Sequence, residues 1–211
     1  MFTNREEAAH QLVQHLAEYK GTRPLVLAIP RGAVPMGKII AEALEGELDV
    51  VLVHKLGAPG NPEYAIGAVS ETEDLFLRAQ AKEPALPEAY IERAADEQMR
   101  VLKARRETYT PDRGPIDPEG RTAIVVDDGV ATGATMGAAL ETVRRARPER
   151  LVVAVAVAPA ETLERLRTLA DEVVCLEVPA FFTAVGQAFM EFEPVTDEDV
   201  TRIMRSVPNR L

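Results

Sequence analysis

The chain has a single cysteine, Cys175, so no internal disulfide can form, which fits a reducing compartment. It has no apolar run near the roughly 20 residues that a membrane-crossing helix requires, and stretches such as Leu151 to Pro159 are far shorter. No membrane partner is expected. The start, Met1-Phe2-Thr3-Asn4-Arg5-Glu6-Glu7, lacks a basic stretch followed by an apolar one, which predicts a cytoplasmic protein. Repeats and low-complexity tracts are missing too. Positive charge is in deficit: 24 Lys and Arg against 34 Asp and Glu leave a formal net charge of -10. That balance argues against a nucleic-acid partner, whose phosphates a binding face must attract. A phosphorylated small molecule remains compatible, because a few backbone amides, one arginine and a magnesium ion suffice locally. No Ser-His-Asp or Cys-His pattern of known spacing is present, so no protein nucleophile of that kind is indicated.

What is present is an ordinary globular composition, 46% apolar over 211 residues, enough for one sizeable core. Asn4 can cap a helix with Leu12, Leu16 and Tyr19 on one face, stopped by Gly21. Leu25 to Ile29 reads as a buried strand, about Val34 to Leu44 as a helix, and Asp49 to Val53 as the next strand. Tyr64 to Val69 and Leu75 to Leu77 read as further strands, and Pro87 to Tyr109 as a long polar helix before the loop Thr110 to Gly120. The second half alternates: strands at Thr122 to Val126, Leu151 to Val157 and Glu172 to Leu176, helices at Thr135 to Arg147 and Ala160 to Ala170. Strands without polar alternation, separated by helices, predict an α/β fold with a central, mainly parallel sheet covered on both faces. Ligands of such sheets bind beyond the carboxyl ends of the strands. Pro179 to Phe192 and a last helix near Thr196 to Arg205 break the alternation and predict a small hood or C-terminal lobe. The expectation is one domain, 1–211, with a core of about 22–178 and segments 4–20 and 179–211 as hood.

The most informative stretch is Ile124-Val125-Val126-Asp127-Asp128-Gly129-Val130-Ala131-Thr132-Gly133-Ala134-Thr135. An apolar strand ends in two carboxylates and runs through small residues into a helix. Gly133 lets the backbone approach a ligand, the helix start presents free amides, and the Thr132 and Thr135 hydroxyls add donors. That combination suits a dianionic phosphate. The acids need another partner, since carboxylates repel phosphate, and vicinal ribose hydroxyls can each donate to one of them. A ribose 5-phosphate fits the whole loop. A bare Asp-Asp pair can merely end a strand, and such pairs also occur in phosphoacceptor receiver domains and magnesium-dependent hydrolases. Neither of those needs the Thr-Gly-Ala-Thr segment. A second loop, Ile29-Pro30-Arg31-Gly32-Ala33-Val34-Pro35-Met36-Gly37, follows the first core strand; Gly32 permits close approach and Arg31 offers a permanently charged fork.

Val125 to Thr135 resembles the diphosphate-sugar signature of the type I phosphoribosyltransferases, and the chain as a whole resembles a bacterial group of that family with no assigned acceptor. The resemblance covers Leu25 to Val69 and Thr122 to Val157 best. It implies that Asp127 and Asp128 meet the 3- and 2-hydroxyls of 5-phosphoribosyl-1-diphosphate, and that Ala131, Thr132, Gly133, Ala134 and Thr135 hold its 5-phosphate. It further implies that Arg31, Gly32 and Lys55 serve the diphosphate, with a non-proline cis peptide expected within Pro30-Arg31-Gly32. Magnesium would be bound mainly by donor oxygens and waters, Asp127 and Asp128 contributing indirectly. Phosphoribose would pass to a nucleobase or related nitrogen acceptor, in a chain that allows a homodimer. Ala131 departs from the hypoxanthine-guanine enzymes, which carry an aspartate there, and this argues against those acceptors. His54 stands where close relatives have arginine. Gly57 to Tyr64 has the composition of a mobile loop, and the resemblance implies a loop in this region that closes over the site; Tyr64 could join that closure or be a core or surface tyrosine. Phe181 or Phe182 could stack on a base, or both could pack the lobe. A non-catalytic sensor of the same sugar, or a magnesium-dependent phosphohydrolase using Asp127, are the alternatives to transfer.

Overall fold

The computed structural model describes residues 1–58, 61–72, 75–77 and 87–207. Helix α1 (Arg5–His15) starts where the Asn4 side chain accepts from the Glu7 amide at 3.1 Å, buries Leu12 on the core face, and is followed by the left-handed turn at Gly21, φ +78°. Strands β1 (Leu25–Ala28), β2 (Glu47–Val50), β6 (Thr122–Asp127), β7 (Arg150–Val157) and β8 (Glu172–Glu177) form one parallel sheet in the order β2-β1-β6-β7-β8. Alternate residues of each strand feed two cores. Val26, Ala28, Ile124 and Val126 join the core that holds Leu12 of α1 and Met36 and Ile40 of α2 (Ala33–Ala43). Leu25, Leu27, Ala123 and Val125 join the core beneath α4 (Ala134–Arg145) and α5 (Ala160–Leu166). Burial on both sides is why these strands read as continuous apolar runs.

The strand order reverses between β1 and β6. From β1 the chain crosses to β2 through α2 on one face, while from β6 it crosses to β7 through α4 on the other. The loops after β1 and β6 therefore part to opposite faces, and a crevice opens beyond their carboxyl ends.

Two expectations need correction. The apolar run from Asp49 is not one strand to Val53. Pairing with β1 ends at Ala28 with Val50, and after Val51 and Leu52 the chain enters β3 (Val53–Ala58) of a separate antiparallel sheet with β4 (Asn61–Ser70) and β5 (Leu75–Leu77). The described part of Gly57 to Tyr64 is accordingly paired strand, Gly57 and Ala58 on β3 and the residues from Asn61 on β4, with register shifts between Leu56 and Gly57 and between Gly57 and Ala58; Pro59 and Gly60, and the Tyr64 side chain, lie outside the described residues.

Helix α3 (Glu88–Tyr109) is anchored by a buried charge cluster. Arg106 donates to Asp49 at 2.7 Å, to both oxygens of Glu71 at 2.7 and 2.5 Å, and to the Val50 carbonyl at 2.8 Å. The first residues of the chain pair with the segment 188–190. Phe2 exchanges backbone bonds with Ala188 and Met190, at 2.7 and 2.8 Å, and its ring lies 5.5 Å from that of Phe189, which stacks at 5.0 Å on Phe192. Helix α6 (Asp197–Ser206) follows, its start held by a capping box between Thr196 and Asp199. Among the described residues no helix is long and apolar enough to cross a membrane.

Candidate active site

The two loops read from sequence converge in the crevice. The Pro30–Arg31 peptide is cis, as the resemblance implied. Gly32, next in the chain, lies so close to Asp128 that a Cβ there would fall on its carboxylate, which is why no side chain fits. Gly32→Ala is accordingly expected to push Asp128 aside and, on the donor reading proposed below, to weaken ribose 5-phosphate binding at least tenfold. The overpacking itself should cost about 1–3 kcal/mol. Calorimetric titration and a thermal melt of the variant check both effects.

Asp127 ends β6, and the alternation along the strand turns Asp128 toward the α1 face. There Asp128, nearly buried, accepts from Arg5 Nε at 2.8 Å. The Asp127 carboxylate accepts from the Asp128 amide at 2.9 Å. Burial first, then the neighbouring Asp128 charge, pushes the Asp127 carboxyl well above the usual aspartate range.

The rest of the loop is pinned through its carbonyls. Thr162 Oγ1 donates to the Ala131 carbonyl and Arg165 Nη2 to that of Thr132, each at 2.7 Å, while the Val130 amide donates to Val157 at 2.9 Å. Gly133 takes φ +73°, a conformation open to few other residues, and leads into α4, whose Ala134 and Thr135 form the first turn. Among the described residues the Ala131, Thr132 and Gly133 amides donate to no protein acceptor. Loop amides left unbonded beside a helix start are an anion cradle. Thr162 and Arg165, on α5, carried no signal in the sequence, because they act from the next crossover onto carbonyls.

Arg31 is exposed, and its Nη1 lies 3.5 Å from Asp197 Oδ2, on a half-exposed side chain at the start of α6. Asp197 also accepts from the Tyr109 hydroxyl, whose pKa burial and this carboxylate push up to about 12. Lys55, on β3, lines a cavity of about 560 Å3 with His54, Tyr90 and Glu97. The Tyr90 hydroxyl donates to Gly57 there at 3.0 Å. His54 is half-buried, and burial followed by the Arg105 and Lys55 charges lowers its pKa. Phe181 is exposed, whereas Phe182 packs partly against the core, and Val185 packs where a Cβ on Gly129 would go. No group of three or more His, Cys, Asp and Glu side chains able to hold a metal occurs among the described residues. Two adjacent carboxylates, one already taken by Arg5, suit a cation that brings most of its own oxygen ligands.

A five-stranded parallel sheet with unbonded loop amides and an acid pair at its reversal point defines an α/β protein of the doubly covered kind. The phosphoribosyl transferase domain family model matches residues 2–189, and the chain belongs to that family. It is 38% identical over 205 residues to two Mycobacterium tuberculosis proteins provisionally named phosphoribosyl transferases, Rv0571c and MT0597. The match covers 97% of this chain but 46% of each of theirs, so the chain spans about half the length of those relatives. The crystal structure of TT1426 from Thermus thermophilus superposes with a TM-score of 0.87 at 47% identity, covering 96% of this chain and 97% of that one.

Proposed function

We propose that this chain binds 5-phosphoribosyl-1-diphosphate and transfers its phosphoribose to a ring nitrogen of a nucleobase-like acceptor, releasing diphosphate. The observation that carries the reading is the meeting of the two loops, with Gly32 against Asp128 and an unbonded amide cradle at Ala131 to Gly133. Asp127 and Asp128 take the ribose hydroxyls, and the Ala131 to Thr135 turn takes the 5-phosphate. Arg31 takes the diphosphate once it exchanges Asp197 for a phosphate oxygen. Segments 4–20 and 179–211 serve as a hood over the core, the whole chain acting as one unit. In the transfer, the bond from C1 to the diphosphate oxygen breaks, the bond from C1 to the acceptor nitrogen forms, and that nitrogen loses its proton. Magnesium, when bound, neutralises charge on the departing diphosphate. The protein contributes position and electrostatic stabilisation rather than a nucleophile.

Incubation with the donor, magnesium and a panel of nitrogen bases should release diphosphate with some base and not without one. Arg31→Ala should lower turnover about a hundredfold while changing donor affinity much less, because charge on the diphosphate grows as it leaves. Donor binding with no release on any base would make the chain a sensor, and release without a base a hydrolase.

A further inference from the structure

This inference rests on the donor reading above and concerns a residue outside both motifs, Arg5 at the start of α1. Its side chain is nearly buried and held on three sides. Nε donates to Asp128 at 2.8 Å, Nη1 to the Glu193 carbonyl at 2.7 Å, and the guanidinium carbon lies 3.8 Å from the centre of the Phe192 ring. Phe192 is itself stacked on Phe189, so the arginine is clamped by the pairing of the two chain ends. Nη2 is different. It has no hydrogen-bond partner among the described residues, and it lies 3.3 Å from the point a Cβ would occupy on Gly32.

We propose that Arg5 is a ligand contact, its Nη2 donating to an anionic oxygen on the diphosphate side of the bound sugar. A guanidinium only donates and is always charged, so what completes it must be an acceptor, and an anionic oxygen is the strongest. Its place beside Gly32 sets that free edge against the loop opening α2. The Arg5–Asp128 pair then offers a donor edge to phosphate and an acceptor edge to a sugar hydroxyl, side by side. Such a pair also offsets the repulsion between the acid pair and a diphosphate bound next to it.

The test uses two separate probes, inorganic diphosphate with magnesium and ribose 5-phosphate, titrated calorimetrically into wild type, Arg5→Met and Arg5→Lys. Arg5→Met is expected to weaken diphosphate tenfold or more and ribose 5-phosphate less than about threefold. Arg5→Lys, keeping the charge but not the fork, should fall between wild type and Arg5→Met for diphosphate. If Arg5→Met does not fold, the lysine variant decides by the same comparison. Equal losses on both probes would overturn the proposal, leaving Arg5 as a support for Asp128 alone. Unchanged diphosphate affinity would overturn it as well. Wild type that binds neither probe at millimolar concentration overturns the donor reading and this contact together, whereas failure confined to the variants' diphosphate response overturns the contact only.

Discussion

Replacing both Asp127 and Asp128 with asparagine is expected to weaken 5-phosphoribosyl-1-diphosphate binding by a hundredfold or more while the fold persists. Each charge-assisted hydrogen bond from a ribose hydroxyl is worth roughly 1.5–3 kcal/mol, and the double variant loses the charge on both acceptors. The free protein should respond in the opposite sense to Asp127→Asn alone. Burial and the Asp128 charge hold the Asp127 carboxyl above its usual range, so ionising it costs the folded state stability. The folded pKa is raised, so the penalty is absent below the unfolded value of about 3.9 and grows as pH rises through the folded one. Asp127→Asn should therefore melt higher than wild type at neutral pH, the gap closing in acid. Melts of the two proteins across pH, with and without the donor, check both halves. A wild type more stable than Asp127→Asn at neutral pH without ligand would contradict the electrostatic account. A hydrolase with Asp127 as nucleophile would instead lose its chemistry almost completely on the single change.

Arg106→Met should be the most destabilising single change outside the site, at about 3–5 kcal/mol, the range for removing one partner of a buried ion pair. For a chain of this size that lowers the melting temperature on the order of 10 °C. Burial opposes the Arg106 charge, but Glu71 and Asp49 outweigh it and raise its pKa. With Arg106 gone, Asp49 stays fully buried with Arg113 at 3.1 Å and the Ile116 amide at 2.8 Å, while Glu71 loses the fork that held both its oxygens. Arg106→Lys should recover little, because an ammonium cannot span Asp49, Glu71 and the Val50 carbonyl together. Since Arg106 ties α3 to β2 and to the end of β4, the hairpin should also lose hydrogen-exchange protection before the parallel sheet does. A loss under about 1 kcal/mol would show the cluster to be structurally dispensable.

The central sheet was legible because its strands are buried on both faces. Leu25 to Ala28, Ala123 to Val126 and Leu151 to Val157 have no polar alternation, and each is bounded by a turn, so element order alone implied parallel strands with crossover helices. The geometry of the loop after β6 was legible for a similar reason: Gly133 and the acids before it follow one another in the chain, and a contiguous loop carries its own geometry. The stretch from Asp49 to Val53 misled because an apolar run does not say where its partner strand ends. Only the short β1, stopping at Ala28, decides that the chain leaves the sheet after Val50 and begins a hairpin.

Local pattern by itself determined the α/β class, the loop after β6, the glycine at Gly32 and the Asn4 cap. Each depends on residues that are neighbours in sequence, where backbone sterics and hydrogen bonding act within a few positions. The tertiary structure decided which charges meet. Arg5 reaches Asp128 across 123 positions, Asp197 reaches Arg31 from the opposite end of the chain, Arg106 joins Asp49 to Glu71, and Arg165 steadies the Thr132 carbonyl. No periodicity encodes such pairs. An arginine at a helix start reads as a solvated surface residue until packing removes the water and leaves a carboxylate as its partner.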